Sequence, residues 1–282
     1  MGWSWLSFGR AFLPAAIGAL AACSGAFRPT EKAPSASELL FAPYESTFTD
    51  PYDAVVRVQT PQMECTGTLI APSLVLTARH CVMVTRDDPF RAPPFPPESL
   101  VVGVGGGYVP WGLVGVAAVV TPEPCHGGVL FGDHDLAVLV LARRITAVKP
   151  LPARLTLAPY AGEPVAPSGF GSCNGSWWYL PHRQMSAAGK ITQLFDNRVE
   201  LSAAACPGDS GGPALDVQTG EVVGVISRGA GWGPPDGLEV RSAPHAVATR
   251  LDAYASVIAK AAAIASGADP QTIEAACVED EK

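Results

Sequence analysis

Cys206-Pro207-Gly208-Asp209-Ser210-Gly211-Gly212-Pro213-Ala214-Leu215 sets a serine inside a glycine-dense turn, with an acid before it and an apolar strand after it. Such a setting exposes a nucleophile. Gly208, Gly211 and Gly212 let the backbone approach a substrate closely and take torsions that side chains forbid. The same residues also make a plain hairpin turn, because Asp-Ser-Gly-Gly is common turn chemistry. By itself the stretch carries both readings.

Two further stretches separate them. Thr77-Ala78-Arg79-His80-Cys81 follows the apolar run Thr68-Leu69-Ile70-Ala71-Pro72-Ser73-Leu74-Val75-Leu76, and Asp133-His134-Asp135-Leu136-Ala137-Val138-Leu139 lies between that histidine and the serine. With three separated motifs in the order His, Asp, Ser, the chain resembles the chymotrypsin-like (trypsin-like) serine protease family from about Ala54 to Ile258. The resemblance implies an all-β fold of two six-stranded antiparallel β-barrels with a C-terminal α-helix, and a cleft between the barrels. It also implies peptide-bond hydrolysis through an acyl-enzyme.

The chemistry follows from the residue types. A serine hydroxyl is a poor nucleophile at neutral pH and needs an adjacent base. His80 suits that task because an imidazole can take and return a proton near operating pH. In the family's triad the acid holds the ring in one tautomer and stabilises the imidazolium. That role falls to Asp135, which directly precedes the apolar strand Leu136-Ala137-Val138-Leu139; Asp133 is the competing acid and His134 a bystander. By the same resemblance, the N–H groups of Gly208 and Ser210 form the oxyanion hole. Losing such a donor costs on the order of 3 kcal/mol in the transition state.

Composition excludes other classes. Hydrophobic residues make up 48% of the 282 and charged residues 16%, which is incompatible with a disordered, highly charged chain. With 29 Gly and 27 Pro, punctuation is too frequent for a helical bundle and suits many short strands. The formal charge of -7 gives no electrostatic reason to expect nucleic acid as a partner. No metal or other cofactor is expected: the cysteines form no Cys-x-x-Cys, and His126 and His182 lack ligand spacing to a second histidine or cysteine. Gly103-Val104-Gly105-Gly106-Gly107 lacks a phosphate-cradle spacing and reads as a turn.

Residues 1–22 read as an export signal, with one positive charge before the apolar run Ala11 to Ala22, which is too short to span a bilayer. Leu20-Ala21-Ala22-Cys23 resembles the bacterial lipobox, which would make Cys23 a lipid-modified residue and anchor the chain to the cell envelope. Ser24 after it favours the outer membrane in that resemblance. An ordinary signal peptide is the alternative, with secretion as its result. Residues 23–50, rich in Pro, Ser, Thr and Ala, read as a tether or propeptide. The protease domain then covers 51–282, its barrels at about 51–150 and 151–248, and is expected as a monomer.

Cys65, Cys81, Cys125, Cys173, Cys206 and Cys277 remain beyond the signal, an even number in an exported chain. The resemblance pairs Cys65 with Cys81 beside His80. Cys173 with Cys206 and Cys125 with Cys277 are the remaining candidates, tying the nucleophile loop and the C-terminal tail. Strands are expected at Val55 to Val58, Thr68 to Ile70, Val75 to Thr77, Leu100 to Val104, Leu113 to Val120 and Leu136 to Leu141. The second barrel takes Pro164 to Gly171, Gly189 to Leu194, Val199 to Leu201, Pro213 to Leu215 and Val222 to Ser227. Leu251, Tyr254, Ile258, Ala261 and Ala265 share one helical face. The proline-heavy stretch from Arg86 to Ser99 is a surface loop that could overhang the cleft or merely decorate the barrel.

Activation and specificity are where the sequence departs from the family. Asp209 matches the aspartate that pairs with a newly cleaved N-terminus in the animal branch, but the corresponding Leu39-Leu40-Phe41-Ala42 after Glu38 lacks the branch's glycines. Either cleavage after Glu38 works with altered packing, or Asp209 has another partner. Ala204, six residues before Ser210, falls at the floor of the primary pocket, where a trypsin has aspartate. Ser227-Arg228-Gly229 matches the strand that pairs with the substrate backbone, and His245 falls near the pocket's back wall with spacing off by one. Arg228 and His245 would favour an acidic side chain; as surface residues they would leave a small apolar pocket. Trp177-Trp178-Tyr179 is either a cleft rim or packed loop aromatics, and Asn174-Gly175-Ser176 is read as a turn. The rivals to a protease are a catalytically silent protease-like binding protein and a serine esterase. The chain order and the lack of a Gly-x-Ser-x-Gly elbow argue against the esterase.

Overall fold

Short runs of β-branched and apolar residues between turns become strands in the computed structural model, which describes residues 50–84, 92–124, 134–172, 182–230, 245–269 and 277–278. Those residues belong to one unit, 36–282. The expectations for the signal, Cys23, the tether, Leu39, Cys125, His126, Asp133, Cys173, Asn174 and Trp177 to Tyr179 lie outside them.

The first barrel is built from β1 (Val55–Gln59), β2 (Glu64–Ala71), β3 (Leu74–Thr77), β4 (Val101–Val104), β5 (Gly112–Val120) and β7 (Ala137–Leu141); the two-residue β6 (Glu123–Pro124) stands outside it. It closes in the order β1-β2-β3-β7-β5-β4 with antiparallel pairings throughout. β7, Ala-Val-Leu-Val-Leu, is buried along its whole length. One side fills the barrel and the other is covered by the C-terminal helix Ala255–Ala265, which packs on β7, β3 and β5.

The second barrel follows with β8 (Pro164–Gly169), β9 (Gln184–Met185), β10 (Gly189–Leu194), β11 (Arg198–Leu201), β12 (Pro213–Asp216), β13 (Val222–Ala230) and β14 (His245–Arg250). The order β10-β11-β14-β13-β12-β8 is closed by β10 pairing with β8, and β9 extends β8 as an appendage. The architecture is therefore two six-stranded antiparallel barrels and one C-terminal helix. A parallel pairing of β15 (Cys277–Val278) with β6 sets Cys277 opposite Glu123, two residues before Cys125 in sequence.

Three details correct the sequence reading. β8 ends at Gly169, not Gly171, because the N–H groups of Phe170 and Gly171 leave the ladder for Thr66 Oγ1 and Asp209 Oδ1. The helix begins only at Ala255, so its buried face is Val257, Ile258 and Ala261, with Ala265 exposed at its end; Leu251 and Tyr254, also buried, lie before it at the short turn Asp252–Tyr254. In the glycine run, Gly103 pairs within β4 and the turn proper begins at Gly105, with φ 70°. The described end of the proline-rich loop lies against the first barrel: Phe95 is buried in its core and Met83 bridges to Pro94.

Candidate active site

The register of β3 on β7 assembles the first half of the site. Thr77 pairs with Ala137, so His80, three residues on, and Asp135, two residues back, emerge at the same end of the barrel. A short turn, Arg79–Cys81, carries His80, and a Cys65–Cys81 disulfide ties that turn to β2.

Asp135 is buried and receives three donors. His80 Nδ1–H donates to Oδ2 at 2.7 Å, the His80 main-chain N–H to Oδ1 at 2.9 Å, and Ser227 Oγ–H to Oδ2 at 2.6 Å. Burial alone would raise the carboxyl's pKa. The charge and hydrogen bonds of His80, with the Ser227 bond, outweigh burial and hold it down to about 2. A carboxylate at Nδ1 leaves Nε2 as the basic nitrogen. Thr249 Oγ1 donates to the Asp135 carbonyl at 3.1 Å and ties the acid's backbone to β14.

Ser227 owes its position to a bulge. Ile226 pairs with Ala248 and Arg228 with Val247, so Ser227 is the extra residue of β13. A bulge re-aims a side chain, and this one turns the hydroxyl to Asp135. The Ser227 carbonyl accepts from Ser210 Oγ at 3.3 Å. Ser227 thereby stands between nucleophile and acid, a supporting position that sequence reading had given only to substrate contact.

The nucleophile loop is held by its backbone. Gly208 has φ 102°, a torsion that glycine adopts without strain. The Pro207 carbonyl accepts from Ser172 N–H at 3.0 Å. In a trans peptide the N–H points opposite the carbonyl, so Gly208 N–H faces away from Ser172. Asp209 N–H donates to the Cys206 carbonyl at 2.9 Å, and the Ser210 carbonyl accepts from Thr66 N–H at 2.9 Å. Cys206 is disulfide-bonded; its expected partner Cys173 lies outside the described residues.

Asp209 is buried with its carboxylate on two main-chain donors, Gly171 N–H and Cys206 N–H, each at 2.8 Å. A Cβ on Gly171 would meet Oδ1 at 2.5 Å, so glycine is what lets the acid in. Burial raises the Asp209 pKa, and the two amide bonds offset that only in part.

The remaining expected residues fall as follows. Ala204 is half-buried, Arg228 exposed and Gly229 half-buried, the last two directly after Ser227 on β13, while His245 opens β14. His134 is buried away from the acid's hydrogen bonds, its Nδ1 2.7 Å from Tyr254 Oη under the C-terminal helix. His182 stacks on Tyr108 with ring centroids 5.0 Å apart. Cys65, His80 and Cys81 lie close enough together to suggest a metal, but both sulfurs are spent in the disulfide. Among the described residues, no helix is long and apolar enough to cross a membrane.

Comparison with known proteins identifies the family and the fold. A family model described as a trypsin-like peptidase domain matches residues 65–225. Serine protease SP24D of Anopheles gambiae is 30% identical over 191 residues, 62% of this chain and 67% of that protein. An uncharacterized peptidase of Corynebacterium glutamicum is 25% identical over 231 residues, 77% of this chain and 72% of its own. Among solved structures, a Glu endopeptidase in complex with MPD superposes with a TM-score of 0.59 at 21% identity, covering 78% of this chain and 96% of its own. A scabies mite inactivated protease paralogue, S-D1, superposes at 0.57 and 21% identity, covering 76% and 93%. By sequence and by architecture, the chain belongs to the trypsin-like peptidases.

Proposed function

We infer that the chain is a serine endopeptidase that cleaves peptide bonds through an acyl-enzyme. The observation that carries this reading is the His80–Asp135 pair at 2.7 Å, joined to Ser210 through Ser227. A rotation about χ1 turns Ser210 Oγ from the Ser227 carbonyl towards His80 Nε2. The oxygen then attacks the substrate carbonyl carbon as Nε2 takes its proton. The tetrahedral oxyanion lies against Gly208 N–H and Ser210 N–H. Collapse returns the proton from Nε2 to the leaving amine and leaves an ester on Ser210. Water, deprotonated by the same nitrogen, releases the acid product.

Asp209 supports competence without a new N-terminus, since its carboxylate already accepts from the main-chain N–H groups of Gly171 and Cys206. Ala204 offers no counter-charge to a basic side chain. Arg228 and His245 would turn the preference to an acidic one; without them the pocket takes small apolar side chains. Peptide libraries separate these two cases. Export and lipid anchoring at Cys23 remain part of the reading, and an acyl mass on the mature N-terminal peptide would establish them. The remaining disulfides, Cys173–Cys206 and Cys125–Cys277, are assigned on the same footing, the second favoured by the pairing of β15 with β6.

Treating the mature protein with a fluorophosphonate beside a Ser210→Ala variant tests the proposal. One adduct on the uncleaved chain, lost in the variant, is expected. A chain that stays unlabelled both intact and after cleavage near Leu39 would instead be a silent binding protein; the mite neighbour is likewise described as inactivated.

A further inference from the structure

The peptide between the two oxyanion donors is held from the other barrel. Thr66, in β2, is fully buried. Its hydroxyl donates to the Gly208 carbonyl at 2.7 Å and accepts from Phe170 N–H at 3.0 Å. Its main-chain N–H donates to the Ser210 carbonyl at 2.9 Å, and its own carbonyl accepts from Thr77 Oγ1 at 2.8 Å. One residue of the first barrel therefore reaches both oxyanion residues and the end of β8.

The geometry makes this more than packing. The 208–209 peptide joins the two donors, Gly208 N–H on one side and Ser210 N–H one peptide further on. Its N–H end is held by the Cys206 carbonyl, and its carbonyl end has Thr66 Oγ1. Releasing the carbonyl frees the peptide to rotate about the torsions of Gly208, a glycine that resists rotation little. Such a rotation swings the donors off the position where the oxyanion develops. The side chain is closely surrounded: a Cβ on Gly169 would come within 3.0 Å of Thr66 Oγ1, and one on Gly212 within 3.0 Å of its methyl.

We propose that Thr66 is a positioning residue for catalysis, its hydroxyl holding the Gly208 carbonyl so that the oxyanion hole stands preformed in the uncleaved chain. This rests on the protease reading above. Thr66 touches no substrate and acts only through the 208–209 peptide. A preorganised donor contributes to the transition state and little to ground-state binding. The effect therefore belongs to kcat.

The test compares Thr66→Val, which keeps the shape and removes the hydroxyl, with Thr66→Ser, which keeps the hydroxyl. Both are assayed in the mature full chain, well below the melting temperature of each, on a peptide amide and with a fluorophosphonate. Thr66→Val should lower kcat by about 10- to 100-fold, leave KM within about two-fold, and slow labelling in step with kcat. Thr66→Ser should restore most of both rates. Wild-type kcat in a folded Thr66→Val variant would overturn the proposal while leaving the protease reading intact. So would a loss confined to KM, or a loss of melting temperature and activity together that Thr66→Ser fails to rescue. An inert wild-type chain would overturn both.

Discussion

The two barrels contribute to the site by different physics. The first is an apolar core closed by a helix, with Val58, Leu69, Leu76, Leu100, Leu139, Leu251 and Tyr254 all buried in one cluster. Its task is to fix the distance between the ends of β3 and β7, and so between His80 and Asp135. The second barrel has a smaller apolar cluster around Val165, Ile191, Leu201 and Ile226, with a network of buried charge beside it. Buried Arg154 pairs with Glu163, Asp216 and Glu221 at its flank, and buried Asp209 sits on amides at its mouth. The imidazole and its acid come from the first barrel, and Ser210, Ser227 and the backbone donors held by hydrogen bonds come from the second. A defect in the apolar core of either barrel or in the Arg154 network should cost stability, and a defect in the groups that meet around Ser210 should cost rate.

Ways to break that division can be ranked by size. Asp135→Asn removes the acceptor that selects the imidazole tautomer and should lower kcat about ten-thousand-fold while the fold persists; steady-state kinetics beside a melting curve checks this. Arg154→Met strands buried carboxylates around a neutral side chain and should cost about 3–5 kcal/mol of stability by chemical denaturation. Burial lowers the affinity of that guanidinium for its proton, but its hydrogen bonds to Glu163, Glu221 and Asp216 outweigh burial and raise it. Leu139→Ala, in the first barrel, should cost about 2–5 kcal/mol in the same experiment. Neither of these two should alter the turnover of the molecules that remain folded.

Smaller effects sharpen the comparison. Ser227→Ala takes one donor from Asp135 and should reduce kcat by about ten-fold, the scale of one hydrogen bond to a charged group. The pH dependence follows from the sign of the Asp135 shift. Its folded pKa, about 2, lies below the ordinary carboxylate value, so its contribution to stability is complete above that ordinary value and fades as pH falls through about 2. The acid limb of kcat/KM should accordingly report the imidazole and not Asp135, and Ser227→Ala should leave that limb in place.

Local pattern made much of this legible. Eleven of the twelve barrel strands announce themselves as β-branched or apolar runs between turns, and the motifs around His80, Asp135 and Ser210 stand out in order. β14, His245–Arg250, is harder to see, because it sits directly before the helix and His245 reads as a pocket residue instead of the start of a strand. What stayed hidden depends on register. Ser227 faces Asp135 only because β13 bulges against β14, and no local signal marks that bulge. Thr66 meets Gly208 across 142 residues of chain, and one threonine in a strand carries no sign of such a partner. The amides that receive Asp209 belong to Gly171 and Cys206, and a main-chain donor leaves no mark in the identity of the residue that carries it.

The most direct measurement is a crystal structure of the uncleaved mature protein with a peptide aldehyde. The account predicts a hemiacetal bond from Ser210 Oγ, its oxygen within hydrogen-bond distance of Gly208 N–H and Ser210 N–H, with Asp209 still on the amides of Gly171 and Cys206. An adduct whose oxygen points away from Gly208, or a loop that accepts the aldehyde only after a new N-terminus has reached Asp209, would contradict it.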